Sequence, residues 1–332
     1  MMRKPSSAGR LRAWHLAAGV VLLAALAAAS LFIGVGDMTP AGLLHAREED
    51  VRLLVESRLP RLLAVLLAGT AMSVAGLVMM HITGNRFVSP STAGTTESAT
   101  LGVLVATLFA GGEAVIVKMA LAVACALAGT FVFMTLLRRL TFRDMILVPL
   151  AGIMFGGVIG AATTFVAYRY DLLQTLGAWT SGDFSAVLRG RYELLWIAGT
   201  VTLLGYLYAD RFTVAGMGRS FAINLGVRYD RVVNTGLVLA SVITAVVVVT
   251  VGEIPFVSLI VPNLVTLALG DNLRYALPAT ALTGALFVLL CDVAGRVIRF
   301  PYEIPVSTVL GVIGSAIFLV LLLRGGRRLG VR

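Results

Sequence analysis

The residue type in this chain most suited to unusual chemistry is a carboxylate placed deep in an apolar stretch. Glu97 lies inside the segment 91–110 without an oppositely charged residue nearby in the sequence. An ionisable group is expensive to bury in an apolar environment, so it usually faces a cavity or a partner. Glu97 therefore either lines a conduit or makes a structural hydrogen bond to another helix, and Asn263, beside Pro262, has the same two interpretations.

Three arginines form a second candidate group. Arg58 and Arg61 flank Pro60, and Arg296 follows Asp292 by four residues, on the same face of a predicted helix. In one interpretation Arg58 and Arg61 reach out to lipid headgroups, while Asp292 simply neutralises Arg296. In the other, the three cations dock an acidic patch of a soluble partner.

The polar segment 210–231 contains a third candidate, a short helix. Ser220 is suited to cap its start, and Gly226 suits the left-handed position that ends a helix. Apolar residues at four-residue spacing form a stripe along it: Met217, Phe221 and Leu225. Such a helix lies either in the groove of a partner protein or on a membrane surface, and the residues alone favour neither.

Several kinds of chemistry are excluded by what the sequence lacks. It has no G-x-x-x-x-G-K-[ST] phosphate loop, so any use of ATP would require another chain. Its three histidines occur singly, and its two cysteines have no C-x-x-C neighbour, which predicts no metal site, disulfide or cofactor. No nucleophile and base stand at a plausible spacing, so we do not expect an enzyme.

The composition indicates how these residues are positioned. Of the 332 residues 58% are hydrophobic and 13% are charged, whereas soluble domains carry about 25% charged residues. The apolar residues form long blocks close to the ~20 residues that cross a bilayer. We expect one transmembrane domain over 1–332, an all-α membrane protein of about ten spans: 14–35, 59–80, 91–110, 114–137, 144–167, 191–209, 232–251, 255–269, 276–298 and 304–323.

The first, third and eighth of these spans differ from the others. The first resembles a secretory signal with a small-residue cleavage site at 27–30, but its apolar run continues to Val35, which favours a retained helix. The third and eighth are short or polar, as expected of irregular helices that are buried among others. The 35 glycines, mostly within spans, are typical of close helix packing.

Charge placement predicts the orientation of the spans. With the N-terminus in the cytoplasm, 17 of the 27 Lys and Arg residues fall on the cytoplasmic side, and 12 of the 17 acidic residues fall on the other. Cytoplasmic loops of membrane proteins carry the excess of basic residues. This asymmetry indicates an even number of spans with both termini cytoplasmic. It also explains the net charge of +10 without a nucleic-acid partner.

Three stretches then make the chain recognisable: R-L-P-R-L-L-A-V-L-L-A-G-T-A-M-S-V-A-G (58–76), G-E-I-P-F-V-S-L-I-V-P-N-L-V (252–265) and E-I-P-V-S-T-V-L-G-V-I-G (303–314). In this order along nearly the whole chain they resemble the FecCD family, the permeases of vitamin B12 and ferric-siderophore importers. The resemblance implies the type II ABC importer permease fold, with ten helices per chain. It also implies a permease dimer around a central conduit, two ATPase subunits inside and a binding protein outside.

The resemblance also assigns roles to residues. It implies that the segment with the A-I-N-L-G-V core is the coupling helix that fits the ATPase cleft: Ser220, Phe221, Ala222, Ile223, Asn224, Leu225, Gly226, Val227 and Arg228. This turns the open choice at that segment towards partner docking. Arg58, Arg61 and Arg296 match arginines that receive binding-protein carboxylates in relatives.

Two departures from the family pattern bear on the substrate. The usual N-P-L-x-x-P is N-R-F-V-S-P at 85–90, and Asn263 replaces the histidine expected after the proline of span eight. These departures disfavour vitamin B12 and resemble the branch that imports catecholate and mixed siderophores such as vibriobactin, anguibactin or petrobactin. The G-D-N-L-R segment (270–274) fits that branch. A heterodimer with a paralogous permease is then as plausible as a homodimer.

The expected function is that of an inner-membrane permease through which ATP hydrolysis by a partner drives ferric-siderophore import. The alternative is an ion-coupled secondary transporter of a small solute. That alternative would need paired intramembrane carboxylates or broken-helix ion sites, and in the sequence Glu97 alone supports it.

Overall fold

The structure is a computed structural model that describes residues 13–34, 45, 47–109, 115–139 and 147–328. Small parts of the predicted spans, residues 35, 110, 114 and 144–146, lie outside the described residues. The basic residues of the N-terminal tail also lie outside them, and so do Arg143 and Arg332. All of these residues enter the charge count.

The described residues are helical, with one isolated β-bridge and no strand. Ten helices, six of them long and apolar enough to cross a bilayer, match the ten predicted spans in order. They are α1 (Ala13–Phe32), α3 (Leu59–Thr83), α4 (Thr95–Phe109), α5 (Val115–Arg139), α6 (Leu147–Arg169), α8 (Leu195–Leu207), α11 (Tyr229–Val251), α12 (Val257–Leu269), α13 (Leu273–Val297) and α14 (Val306–Arg328). Short helices fill the connections: α2 (Glu48–Leu53), α7 (Leu173–Thr180), α9 (Ala209–Gly216) and α10 (Arg219–Asn224).

The helices of the third and eighth spans are short, and irregular backbone precedes each of them. Turns occupy residues 89–94, so α4 begins only at Thr95 and has 15 residues. With 13 residues, α12 is about 20 Å long, against a hydrocarbon layer of about 30 Å. Residues 252–256 and 89–94 are therefore irregular backbone held within the protein.

The centre of the bundle is α3, which packs against α13, α11, α12 and α8. Its residues from Ala71 to Ile82 are all buried. At the periphery lie α1 and α6, whose candidate spans are mostly exposed within the isolated chain. Because the outer helices expose apolar side chains and the central one buries them, the bundle has the surface of a protein solvated by lipid.

One helix contact depends on a proline and a glycine. Pro262 lies inside α12 and has no N–H to donate, so the carbonyl of Ser258 loses its usual helical partner. Gly76 of α3 packs directly against that carbonyl, and a Cβ at residue 76 would overlap the carbonyl oxygen. The two backbones are therefore in direct contact, which is possible only with glycine at this position.

Hydroxyl side chains join three helices in the interior. Thr95 of α4 lies 2.8 Å from the hydroxyl of Thr130 on α5, and Ser241 of α11 donates to the same hydroxyl at 3.1 Å. The Thr130 hydroxyl in turn donates to the carbonyl of Ala126. Hydrogen bonds of this kind are a means of helix association where the hydrophobic effect is weak.

The helices define two ends of the bundle. One end, which we call the α10 end, contains the short helices α9 and α10. The helices α3 and α12 end there, and α11 and α13 begin there. At the opposite end, α3 and α14 begin and α13 finishes, so that Arg61, Arg296 and Glu303 meet there. The three candidate groups of the sequence are thus distributed over both ends and the interior.

Candidate functional site

The predicted coupling segment, Ser220–Arg228, projects from the α10 end as a single helical turn and a reversal of the chain. Gly226 has φ +75°, the left-handed conformation that the sequence predicted. The N–H groups of Gly226 and Val227 donate to the carbonyls of Ile223 and Ala222, each at 2.9 Å. This pattern of bonds ends a helix and reverses the chain.

The predicted start of this helix is wrong by two residues. The helix α10 begins at Arg219, so Ser220 lies within it, and no side chain caps its start. Gly218 precedes it with φ 109° and ψ 157°, and the Gly218 carbonyl accepts the first helical hydrogen bond, from Ala222. Because glycine alone adopts that conformation without strain, the chain turns there and the serine cap is not needed.

The coupling segment exposes apolar side chains outside the spans. Phe221 is 48% exposed, Ile223 is 54% exposed and Leu225 is 57% exposed, and Met217 beside them is also exposed. Ala222 alone is fully buried and anchors the turn. A contiguous exposed apolar patch of this kind marks an interaction surface.

Charged and polar residues surround this patch. Arg219 pairs with Asp230 at 3.2 Å across the base of the segment. A cavity of about 450 Å³ lies beside it between the ends of α3, α9 and α12, and its lining includes Met80, His81, Arg86, Thr213, Met217 and Asp271. A second hollow, of about 470 Å³, is lined by residues between Ile223 and Arg231. The segment and Met217, which precedes it, therefore border open space, while Ala222 holds the turn to the bundle.

At the opposite end, Arg58, Arg61 and Arg296 form a buried network with Asp292 and Glu303, which we name the arginine cluster. Arg61 donates to Asp292 Oδ1 through Nε at 3.1 Å and Nη2 at 2.8 Å, and to Glu303 Oε2 through Nη1 at 2.6 Å. Arg296 donates to Asp292 Oδ2. The two arginines thus share one carboxylate that is itself 1% exposed.

The same cluster holds the end of α1. Arg296 donates to the carbonyls of Ser30 and Ile33 at 2.9 and 2.8 Å and to the Ser30 hydroxyl at 2.7 Å. Arg58 donates to the Ile33 carbonyl as well. All three arginines are at most 9% exposed. They are therefore committed to contacts within the chain, in addition to any role towards a partner.

The two conduit candidates lie apart from each other. The Glu97 carboxylate faces Gly156 of α6, where an added Cβ would lie 3.0 to 3.2 Å from its atoms, and Oε2 has no hydrogen-bond partner among the described residues. Asn263 instead donates to the carbonyls of Arg86 and Leu259, at 2.7 and 2.8 Å. Asn263 thus makes the structural hydrogen bonds that were one of its two interpretations, whereas one oxygen of the Glu97 carboxylate lacks such a bond in the described part of the chain.

An additional carboxylate, Glu253, belongs to this interior region. It lies in the loop between α11 and α12 and forms the β-bridge with Ser181. The neighbouring residues continue this contact, since Asp183 donates to the Val251 carbonyl and Ser307 to the Gly182 carbonyl, each at 3.0 Å. We call residues 181–183 the strap, because they join the start of α14 to this loop.

Burial raises the pKa of Glu253 to about 7, and the nearby charge of Glu97 adds to the increase. Since the free side chain titrates near 4.5, the folded protein binds this proton more tightly than the unfolded chain. The contribution of the proton to stability is present below pH 4.5 and is lost as the pH rises to 7.

We therefore predict that Glu253→Gln, which keeps the shape and removes the charge, stabilises the protein above pH 7 relative to the original chain. The expected gain is about 3 °C in melting temperature at pH 8, falling towards zero at pH 4.5. Thermal unfolding in detergent across this pH range measures it. The exposed Glu193→Gln is the matched control, and parallel pH curves for Glu253→Gln and the original chain would contradict the prediction.

Sequence reasoning singled out neither Glu253 nor Glu303. Both lie in segments that had been recognised only as family stretches, 252–265 and 303–314. The available signal was the E-I-P sequence that both segments share, an acid two residues before a proline and close to apolar blocks, where burial of a charge is costly. Within the described residues, no three His, Cys, Asp or Glu side chains are grouped so that they could hold a metal ion.

Comparison with known proteins gives consistent results. The chain is 49% identical over 304 residues to the petrobactin import system permease protein YclN of Bacillus subtilis (strain 168), covering 92% of this chain and 96% of that protein. It is 41% identical to the ferric-anguibactin transport system permease protein FatD of Vibrio anguillarum, covering 91% and 96%. Vitamin B12 import permeases (BtuC) are more distant, at 30% to 31% identity.

Solved structures confirm the predicted fold class. A transporter described as of the metal-chelate ABC type, in an inward-facing conformation, superposes with a TM-score of 0.79 at 23% identity, covering 94% of this chain and 100% of that one. The FecCD transport family matches residues 22–324. Its match covers nine-tenths of the sequence and includes the coupling segment, the arginine cluster and both interior carboxylates. This chain is a member of the FecCD transport family.

Proposed function

We propose that this chain is the permease subunit of an ATP-binding-cassette importer that moves a ferric siderophore of the catecholate or mixed type across the inner membrane. The substrate class follows from the relatives, since the two compared at 49% and 41% identity carry petrobactin and anguibactin import names. The chain supplies the path, and ATP hydrolysis takes place in a partner. No bond of the chelate is changed by this chain.

The observation that carries the proposal is the exposed apolar coupling segment at one end of an apolar bundle. Phe221, Ile223 and Leu225 are each about half exposed, although they lie outside the spans, where lipid does not cover them. Burying apolar side chains in a partner's groove stabilises the complex by about 1.5 to 3 kcal/mol for each large residue. Two ATPase subunits, one for each permease of a dimer, supply two such grooves.

The proposed orientation places the α10 end and both termini in the cytoplasm. The basic residues of that end include Arg211, Arg219, Arg228, Arg231 and Arg274, which agrees with the preference of cytoplasmic loops for positive charge. The opposite end, with the arginine cluster, then faces outward. A soluble or lipid-anchored siderophore-binding protein docks there, and the second permease of the dimer is either an identical chain or a paralogue.

The docking role of the arginine cluster rests on the guanidinium of Arg61, which is already desolvated and bound to two carboxylates, Asp292 and Glu303. A cation held at a docking site steers a complementary acidic partner and fixes its register. The proposed conduit runs past Glu97, whose carboxylate has an oxygen without a hydrogen-bond partner among the described residues.

Transport assays test the proposal against its alternative. Cells that lack other siderophore permeases receive this chain with its ATPase and binding protein, and uptake of radioactive iron bound to petrobactin is measured. We expect uptake to persist when the proton gradient is collapsed while ATP is maintained. Uptake that stops under these conditions would favour the ion-coupled secondary transporter instead.

The coupling segment gives a direct prediction for ATPase binding. Phe221→Ala and Ile223→Ala should each weaken binding of the ATPase subunit by about 10- to 100-fold, because each removes a side chain that becomes buried in the partner's groove. Binding of the purified ATPase to the permease in lipid nanodiscs measures the effect. The matched control is Leu203→Ala on α8, which removes an equally exposed apolar side chain from a span. Equal affinities for all three variants would rule out this docking surface.

A further inference from the structure

The arginine cluster contains one acid that is far more accessible than the other. The side chain of Asp292 is 1% exposed and is shared by Arg61 and Arg296. The side chain of Glu303 is 25% exposed, and its ion pair within the described residues is with Arg61. Of the two carboxylates bound to Arg61, Glu303 is therefore the one that can leave without exposing a buried charge.

Glu303 also lies outside the helices. It belongs to the non-helical segment 298–305 between α13 and α14, in which Phe300 and Tyr302 are largely exposed. The N–H of the next residue, Ile304, donates to the Gly295 carbonyl and fastens the segment to the end of α13. Release of Glu303 is thus a rearrangement of a surface loop rather than of a span.

We propose that Glu303 occupies the site of a carboxylate of the binding protein. On docking, that carboxylate replaces Glu303 as the acceptor of the hydrogen bond from Arg61 Nη1. This inference rests on the proposed function, because it assumes that the arginine cluster receives the partner. In the free permease Glu303 is paired with Arg61. In the docked complex the carboxylate of the binding protein is paired with Arg61, and Glu303 turns to solvent. Asp292 keeps both of its arginines throughout.

The energetics favour an exchange over an added ion pair. The main free-energy cost of a buried ion pair is the removal of the charged groups from water. The guanidinium of Arg61 is already out of water in the folded permease, so docking does not add this cost for Arg61. A carboxylate that replaces Glu303 finds Arg61 desolvated and oriented by its two bonds to Asp292. The competing acid then lowers affinity but protects the site from other anions, which is a means of specificity.

The exchange also has a physical route to the interior. Glu303 is four residues before Ser307, whose N–H bonds to Gly182 in the strap, and Ser181 of the strap forms the bridge to Glu253. Movement of segment 298–305 therefore pulls on the strap that covers the loop between α11 and α12. Docking of the partner is in this way linked to the outer entrance of the proposed conduit.

The test is a double-mutant cycle on binding affinity. The probe is a fluorescently labelled siderophore-binding protein that supports uptake through this chain, loaded with ferric petrobactin, and the permease is assembled with its ATPase in nanodiscs. We expect Glu303→Gln to tighten binding by about three- to fivefold, because the competing charge is removed. We expect Glu193→Gln to change affinity by less than about twofold. It removes an exposed acid at the same end whose hydrogen-bond partner in the described ranges is the Gly190 N–H and not an arginine.

Arg61→Gln completes the cycle and separates the possible failures. It leaves Asp292 paired with Arg296 and Glu303 partly exposed, so the variant keeps its buried charges paired. We expect it to weaken binding and to abolish the gain from Glu303→Gln in the double variant. A gain that persists in the double variant reflects long-range charge alone and overturns the exchange.

The remaining outcomes are equally decisive. If Arg61→Gln weakens binding but Glu303→Gln leaves it unchanged or weakens it, the exchange is refuted and docking at the arginine cluster stands. If Arg61→Gln leaves binding unchanged in a protein that still elutes as a folded complex, docking at the cluster is refuted. Import itself is measured separately, so the proposed transport function does not depend on either result.

Discussion

Asp292→Asn should cause the greatest loss of stability of any single substitution at the arginine-cluster end of the bundle. The change leaves Arg61 and Arg296 without their shared carboxylate, although both remain buried. Removing one partner of a buried ion pair costs about 3 to 5 kcal/mol, because the remaining charge is left uncompensated. Within the described part of the chain Glu303 forms its ion pair with Arg61 and not with Arg296, so it does not take the place of Asp292 at Arg296.

The yield of folded permease and its melting temperature in detergent measure this effect. Asp210→Asn is the matched control, since Asp210 is also paired with an arginine, Arg274, but both side chains are at least 65% exposed. Exposed pairs contribute about 0 to 1 kcal/mol. If the two variants melt at the same temperature, the arginine cluster is not a stabilising element of the fold.

Gly226→Val should separate transport from ATP hydrolysis. Gly226 has φ +75° and no neighbouring atoms within 4 Å of an added Cβ, so the substitution is opposed by the backbone and not by crowding. A β-branched residue in this conformation costs about 1 to 3 kcal/mol and shifts the turn away from its left-handed geometry. Phe221 and Ile223 are then displaced from the partner's groove, and iron uptake should fall by about tenfold or more.

Gly226→Asn is the matched control, because asparagine tolerates the left-handed conformation better than other non-glycine residues. It should retain most of the uptake. Both variants are assayed for iron uptake in cells and for ATPase activity in the assembled complex, where Gly226→Val should leave hydrolysis uncoupled. Normal uptake by a correctly inserted Gly226→Val protein would show that this turn does not transmit force from the ATPase.

The apolar spans were predictable because lipid imposes a simple rule. Every backbone group in the hydrocarbon must be satisfied within a helix, so apolar blocks of sufficient length become helices almost irrespective of their neighbours. Two exceptions are the spans 91–110 and 255–269, which lipid does not fully surround and whose helices start later than the apolar blocks. Their irregular ends are determined by tertiary contacts such as the bridge between Ser181 and Glu253.

The candidate sites were predictable to the extent that their signals are local. The left-handed Gly226, the apolar stripe and the Asp292–Arg296 pair each depend on residues within nine positions of one another, and the structure has each of them. The bonds of Arg61 to Asp292 and Glu303 join residues 231 and 242 positions apart. The periodicity of a sequence does not indicate such distant partners. The sequence therefore predicted arginines that face lipid headgroups or a partner, whereas in the structure they are buried and bound within the chain.

The contact between Gly76 and the Ser258 carbonyl constrains how such a bundle can change shape. Side chains adapt to sliding helices by changing rotamer, but two backbones in contact have no such freedom. Since that carbonyl is available because of Pro262, α3 and α12 have little room to slide past each other at this contact. Any alternation between outward-open and inward-open forms is therefore expected to take place at other hinges.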